Sequence, residues 1–340
     1  GGEYRKWYGN IDAVVNWERD GIELQSTLHP SGSRVWAHNF NLEYIFKHGA
    51  TWTDITSTGL AARYMPVGCL FDATGLSAFY SDDSDLWFGL AAANSVIASQ
   101  CAPVLNPTLH FKAGDFRRLP LPLNRISRAC EIAKEAVCIA QEDWNELETS
   151  SGFSGLDLVA VGDACWVSAA WNVLAKSKAK RFAALRELEE ENNRQFISIY
   201  GLEDEVFPEV PEDQITLARA DREKDCQRLI SYAIGCMMGR YSLDEPGLIY
   251  ARAGNVGFDA SRYATFPADA DGIVPLTDER WFTDDAASRV REFLLAVWSA
   301  DTLEENMAWL AESLGAKASE TPDETIRRYL ANKFFKDHLQ

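Results

Sequence analysis

Basic and aromatic side chains interleave along the N-terminal part of this 340-residue chain, in Tyr4-Arg5-Lys6-Trp7-Tyr8, Trp36, His38, Lys47-His48, Thr51-Trp52-Thr53-Asp54 and Arg63-Tyr64. Those residue types suit a nucleic acid. A guanidinium grips a guanine edge or a phosphate, and an aromatic ring stacks or packs beneath it. The candidate DNA contacts are therefore Arg5, Lys6, Trp7, Lys47, Thr51, Trp52, Thr53, Arg63 and Tyr64. The same aromatics would equally build the core of a β-rich domain, so the pattern alone leaves both uses open. Arg63 poses the choice most sharply, because no acidic residue stands within eight positions on either side. Either it reads a base edge or phosphate, or it pairs with Asp54 or Asp72, each nine positions away, and holds a strand in register.

Other chemistry is hard to find. The chain has no G-x-x-x-x-G-K-[ST] or G-x-G-x-x-G loop to cradle a nucleotide, no H-E-x-x-H for zinc and no G-x-S-x-G serine elbow. His29, His38, His48 and His110 lack metal-ligand spacing, and carboxylate pairs such as Asp82-Asp83 suit solvated faces or helix starts. Asn106-Pro107-Thr108-Leu109 differs from the Asn-Pro-Pro-Tyr loop of amino-methyltransferases in lacking the second proline and the aromatic. No catalytic and no metal-ligating residue is assigned. Seven Cys without a C-x-x-C pair read as reduced thiols of a cytoplasmic protein.

The elements that would position the contacts divide the chain by period. Residues 1–122 carry turn residues between short strand-like runs at Ala13–Trp17, Val35–Phe40, Ala61–Met65 and Cys69–Asp72. One apolar helix is predicted over Leu86–Gln100, with another strand-like step near Asn106–Phe111 and a proline-marked exit at Leu119–Pro122. From Ile126 the period is helical, with helices predicted over Ile126–Leu147, 176–200 capped by Gly201, Asp221–Arg240, 284–299, 301–313 and 321–338. Thr321, Pro322 and Glu324 form a capping-box signature. The expected fold class is α+β: a β-rich domain over 1–122, a helical region over 123–205, and an acidic linker with a truncated helical C-terminal region over 206–340.

Charge follows the same division. The net charge of −18 opposes nucleic-acid binding at first sight, yet residues 1–128 hold 11 Lys+Arg against 12 Asp+Glu, while 129–340 hold 22 against 39. The first part can present a basic face, and the second would be repelled by DNA. No apolar run approaches the ~20 residues of a membrane span, so no membrane partner is expected.

GGEYRKWYGN at the start and GATWTDITSTGLAARYMPVGCLFDATG (Gly49–Gly75) resemble the BREX-type phage-defence adenine-specific DNA methyltransferases, the PglX family. So do LNPTLHFKAGDFRRLPLP, EDWNELETS, LEEENNRQFISIYGLEDEVFPEVP, SYAIGCMMGRYSLDEPGLIYA, DGIVPLTDERWFTDD and TIRRYLANKFFKDHLQ, in the family's order and over essentially the whole chain. The resemblance implies a fragment lacking the N-terminal catalytic domain, with its S-adenosylmethionine loop and Asn-Pro-Pro-Tyr motif. Residues 1–122 would be the target-recognition domain, its Thr51–Arg63 segment a strand and turn near base edges. The partners implied are double-stranded DNA, the missing methyltransferase domain and other phage-defence proteins. S-adenosylmethionine would be the cofactor of the parent protein only, and this chain alone would be inactive. Two alternatives stand beside this reading: a free-standing specificity subunit of a restriction-modification system, and a helical interaction scaffold of the defence complex.

Overall fold

The computed structural model describes residues 2–338 apart from 38–40, 56–58, 73, 162–163, 253 and 255; His38 therefore lies outside the described residues. Three strands, β1 Gly49–Thr53, β2 Ala62–Met65 and β3 Gly75–Ala78, form an antiparallel sheet in the order β2-β1-β3. The helices are α1 Glu18–Ser26, α2 Asp83–Ala93, α3 Val96–Leu105, α4 Ala113–Phe116, α5 Ser127–Asn145, α6 Asp157–Ala160 and α7 Val167–Tyr200. They continue as α8 Arg222–Met237, α9 Ala286–Val297, α10 Leu303–Ser313, α11 Pro322–Tyr329 and, after a π-helical turn at Leu330–Phe334, α12 Phe335–His338. The fold class is α+β, 49% helical.

Two compact units divide the chain. The first comprises residues 1–144 and 181–217, the second 145–180 and 218–340. The cuts differ from the expected boundaries at 122 and 205, because nearly all of α5 and the C-terminal part of α7 belong to the first unit.

In the first unit β2 matches the expected Ala61–Met65 run. Ala13–Trp17 and Cys69–Asp72 form no strand, and β3 lies just beyond the latter. Strand formation needs a partner, and β1 supplies one on each side: Thr51 faces both Arg63 of β2 and Ser77 of β3. Trp7 extends the array at the outer edge of β2, its N–H donating to Ala62 O (2.8 Å) and its carbonyl accepting from Tyr64 N (2.7 Å).

The single helix expected over Leu86–Gln100 is two, α2 and α3, bent by 76°. Asn94 and Ser95 cause the break. The Asn94 amide pairs with both the N–H and the carbonyl of Ala62 (2.9 Å each), and Ser95 caps α3 by accepting from Ala98 N. No single helix among the described residues is long and apolar enough to cross a membrane. Behind the sheet, Leu86, Phe88 and Leu90 of α2, Ile132 of α5 and Leu185 and Phe196 of α7 are buried, with Phe88 and Phe196 stacked at 5.8 Å. α7 ends at Gly201, whose φ of 63° makes it the left-handed residue of a C-terminal cap, with Leu202 N donating to Ile197 O.

The second unit buries one apolar core built on α8, which contributes Cys226, Leu229, Ile230, Ala233 and Met237, against Phe293, Met307, Leu310, Ile326 and Tyr329. Three of its helices, α8, α9 and α11, start on a side-chain cap. Asp221 accepts from Lys224 N, Asp285 from Ser288 N, and Thr321 and Glu324 form the expected capping box. Lys178 is buried between Glu146 (3.0 Å) and Asp225 (3.4 Å), and Trp171 Nε1 donates to the same Asp225. Arg228, 3.8 Å from Asp225, balances the second carboxylate.

Candidate nucleic-acid interface

The N-terminal basic residues run against β2 and then turn inward. Trp7 adopts a left-handed φ of 69°, a conformation costing a bulky residue roughly 1–2 kcal/mol. That turn drops the indole into the interior, fully buried, where Nε1 donates to Glu189 Oε1 at 2.7 Å. Lys6, 5% exposed, gives its ammonium to the other oxygen of the same carboxylate, also at 2.7 Å. Burial alone would depress the lysine pKa, but the Glu189 charge and hydrogen bond outweigh it and hold the ammonium above its ordinary value. Arg5 lies over the Trp144 ring (5.0 Å) and pairs with Asp143 at 2.6 Å. Gly9 permits this: a Cβ there would stand 2.4 Å from Arg5 Nε and 2.8 Å from the Trp144 ring.

Arg63 is 2% exposed. Neither Asp54 nor Asp72 meets it. Its Nη1 donates to Arg5 O (3.3 Å), its Nη2 to Thr53 Oγ1 (3.3 Å), and Nε has no hydrogen-bond partner among the described residues. Burial, with Arg5's charge adding to it, pushes the guanidinium pKa down to about 10. The expected pairing with Asp54 or Asp72 is thus corrected: Arg63 faces the interior and ties β2 to the N-terminal segment through neutral oxygens.

The remaining candidates are placed as follows. Trp52, 1% exposed, stacks on Phe116 at 4.1 Å and donates through Nε1 to Phe111 O. Tyr64 is half-buried, its ring stacked with those of Trp87 (5.0 Å) and His48 (6.4 Å). Thr51 Oγ1 donates to Leu76 O, and Thr53 Oγ1 both receives from Arg63 and donates to Gly2 O. Lys47 is the one exposed member of the nine; its ammonium sits 5.3 Å from the Tyr44 ring and makes no ion pair among the described residues. The structure therefore brings Arg5, Lys6, Trp7 and Arg63 together with Thr53, and leaves Lys47 apart on the surface.

Reading the sequence missed the partners that draw these side chains inward. Glu189 stands 183 positions from Lys6 and Asp143 stands 138 from Arg5, so no local spacing signals either. It also missed the segment that folds over Trp52. Asp54, 3% exposed at the end of β1, accepts from Lys112 Nζ and from His110 Nδ1 (3.2 Å), and its carbonyl accepts from Phe111 N at 2.8 Å. Burial acts to raise the Asp54 pKa, and the hydrogen bonds and charges of Lys112 and His110 outweigh it, so the carboxyl stays below its usual range. Beyond that anchor Arg117 and Arg118 are exposed.

The Asn106-Pro107-Thr108-Leu109 loop is folded on itself. Asn106 Oδ1 accepts from Thr108 N (3.0 Å) and Thr108 Oγ1 (2.7 Å), and its Nδ2 donates to Asp115 Oδ2 (2.8 Å). An amide spent in this way does not fit the base-holding part of a methyltransferase site, and no glycine-rich loop is present to take S-adenosylmethionine.

No protein-family profile matches the sequence. Two curated proteins are similar to it over all of its length: the adenine-specific methyltransferase PglX of Lacticaseibacillus casei strain Zhang, 40% identical, and the adenine-specific methyltransferase BrxX of Escherichia coli O9:H4 strain HS, 38% identical. The chain spans 28% and 29% of their respective lengths. The resemblance read from its residues thus holds from end to end: the chain corresponds to a segment, less than a third in length, of the PglX-type adenine-specific methyltransferases.

Proposed function

We propose that this chain is the DNA-reading portion of a site-specific adenine-N6 methyltransferase of a BREX phage-defence system. The observation that carries the reading is the similarity, at 38–40% identity over the whole chain, to two proteins named as adenine-specific methyltransferases, in a segment whose own residues do not fit the cofactor. When bound elsewhere in the parent protein, S-adenosylmethionine supplies the methyl group. The task left to this chain is to hold duplex DNA in register, through phosphate contacts that position and base-edge contacts that specify. A flipped adenine is then presented to the catalytic part.

Within that reading the nine contacts named from the sequence take different parts. Lys47 faces solvent and touches phosphate. Arg5, Lys6, Trp7, Trp52 and Arg63 fix the backbone on which Thr51, Thr53 and Tyr64 sit at the half-exposed surface. The partners are double-stranded DNA, the catalytic domain and other defence proteins, in the cytoplasm. A scaffold role for the second unit is favoured by one observation: Ile273, Trp281 and Phe282 are 66%, 70% and 48% exposed on an irregular segment, which suits a protein surface better than a DNA backbone.

Modified-base sequencing of host DNA tests the function. Cells carrying the full-length parent should gain one adenine-methylated motif. Exchanging this segment for the corresponding one of a relative should change the motif while methylation persists. An unchanged motif after the exchange overturns the reading.

A further inference from the structure

We propose that Arg117 and Arg118 form the principal phosphate-contacting site of the first unit, a role that the basic N-terminal residues cannot fill from the interior. The inference rests on the DNA-reading function and names the surface that would carry it.

The segment bearing these arginines is pinned at both ends. On one side Phe111 N donates to Asp54 O, Trp52 Nε1 donates to Phe111 O, and Phe116 stacks on Trp52 with ring planes 10° apart. On the other, Leu119 is buried and Pro120 O accepts from Tyr200 Oη at 2.7 Å. A loop free to move needs none of these contacts; a loop that presents side chains to a fixed surface gains from all of them, because ordering costs are met before binding. The charges between the anchors are unevenly satisfied. Lys112 is taken by Asp54. Asp115, the acid nearest to the two arginines in sequence, is held below its usual carboxylate range first by hydrogen bonds from Asn106 Nδ2 and Lys112 N, and the nearby Arg118 charge adds to this without forming an ion pair among the described residues. Arg117 and Arg118 are exposed and make no ion pair among the described residues. In a chain of net charge −18, two adjacent exposed guanidiniums on a pre-ordered segment suit a polyanion, and the spaced phosphates of duplex DNA supply one.

The test is a salt titration of the 340-residue chain with a duplex of mixed sequence, comparing wild type with R117A/R118A. Each phosphate contact contributes roughly 0.9 to the slope of log affinity against log salt. The double variant should lose about ten-fold or more in affinity at low salt, with a slope shallower by about 1.8 and an unchanged melting temperature. A control, K333A/K336A, replaces exposed lysines of the second unit and should leave the slope as it was. If wild type binds and the double variant binds with the same affinity and slope, this site is wrong and the DNA-reading function stands. If wild type does not bind duplex at any salt, both fall together. A lower melting temperature with the slope intact would show the pair to be structural and would also overturn the proposal.

Discussion

Arg63 and the Arg117–Arg118 pair approach β1 from its two faces, the first through Thr53, the second through Phe116 on Trp52. Judged by their neighbours in sequence, Arg63 is the free cation and the pair is the neutralised one, since Asp115 stands two and three positions before it. The fold reverses this. Arg63 is covered by the N-terminal segment, and its guanidinium is spent on backbone and hydroxyl oxygens. Asp115 accepts from Asn106 and from the Lys112 N–H, and although the Arg118 charge also acts on it, neither arginine forms an ion pair among the described residues and both stay exposed. Whether a cation is available depends on which element crosses above it, and sequence distance to an acid says little about that.

The strongest way to break the comparison is to release the interior cluster. Glu189 accepts from both Lys6 and Trp7 at 2.7 Å and is itself 2% exposed. Replacing it by alanine leaves a buried ammonium without its partner, a change that costs about 3–5 kcal/mol where such pairs have been broken. Chemical denaturation of Glu189→Ala should show a loss of that size. A loss under about 1 kcal/mol would mean that Lys6 and Trp7 turn outward readily, and the N-terminal residues would then return as direct DNA contacts.

Next in size is Arg63. Truncation to alanine removes a large buried side chain that bridges β2 to Arg5 O, and should cost about 2–3 kcal/mol. Arg63→Met keeps most of the volume and removes a cation whose Nε is unpartnered, so its cost should be smaller. Both variants should weaken binding to all DNA sequences alike if they weaken it at all. Relaxed discrimination at one base pair, with the melting temperature unchanged, would restore Arg63 as a base reader.

A pH titration sharpens the other side of the comparison. The Asp54 carboxyl is held below its ordinary pKa, so its contribution to stability is fully present above the unfolded value of about 3.9 and is lost as pH falls through the folded value. Lys112 and His110 are half-exposed, which limits that contribution to about 1 kcal/mol. Asp54→Asn should therefore be less stable than wild type at pH 7, with the difference shrinking below about pH 4. A difference independent of pH would show that the Asp54 charge does not anchor the 110–118 segment.

The outcome also marks what the sequence could convey. Helix positions with strong local signals were legible: the Thr321–Glu324 capping box, the Gly201 terminus and the Asp221–Arg240 helix all appear within a few residues of their expected bounds. The β2 strand was legible from its own residues. β3 was not, because Gly75–Ala78 has little strand propensity and is recruited by pairing to β1. Leu86–Gln100 read as one helix because its residues are mostly apolar, and the Asn94 amide, docked on Ala62 some thirty positions earlier, together with the Ser95 cap, divides it. The partners of the candidate contacts were hidden for the same reason. Lys6, Trp7 and Arg63 carry the right chemistry for DNA, and long-range partners on α7 and in the N-terminal segment redirect it.

Lys47 offers the smallest effect and the cleanest one. It follows Phe46, whose φ of 64° and hydrogen bonds to Cys69 O and from Gly68 N fix the turn, so the backbone beneath the lysine is ordered without help from its side chain. The ammonium's contact over Tyr44 is worth little at an exposed site. Lys47→Ala should leave stability within about 0.5 kcal/mol of wild type. If Lys47 touches one phosphate, the salt slope should fall by about 0.9, roughly half the change expected for the arginine pair, and equally for all duplex sequences. A slope unchanged for Lys47→Ala but reduced for the arginine pair would confine the DNA to the Trp52 side of the sheet. The reverse result would move it to the Tyr44 turn and remove the 110–118 segment from the interface.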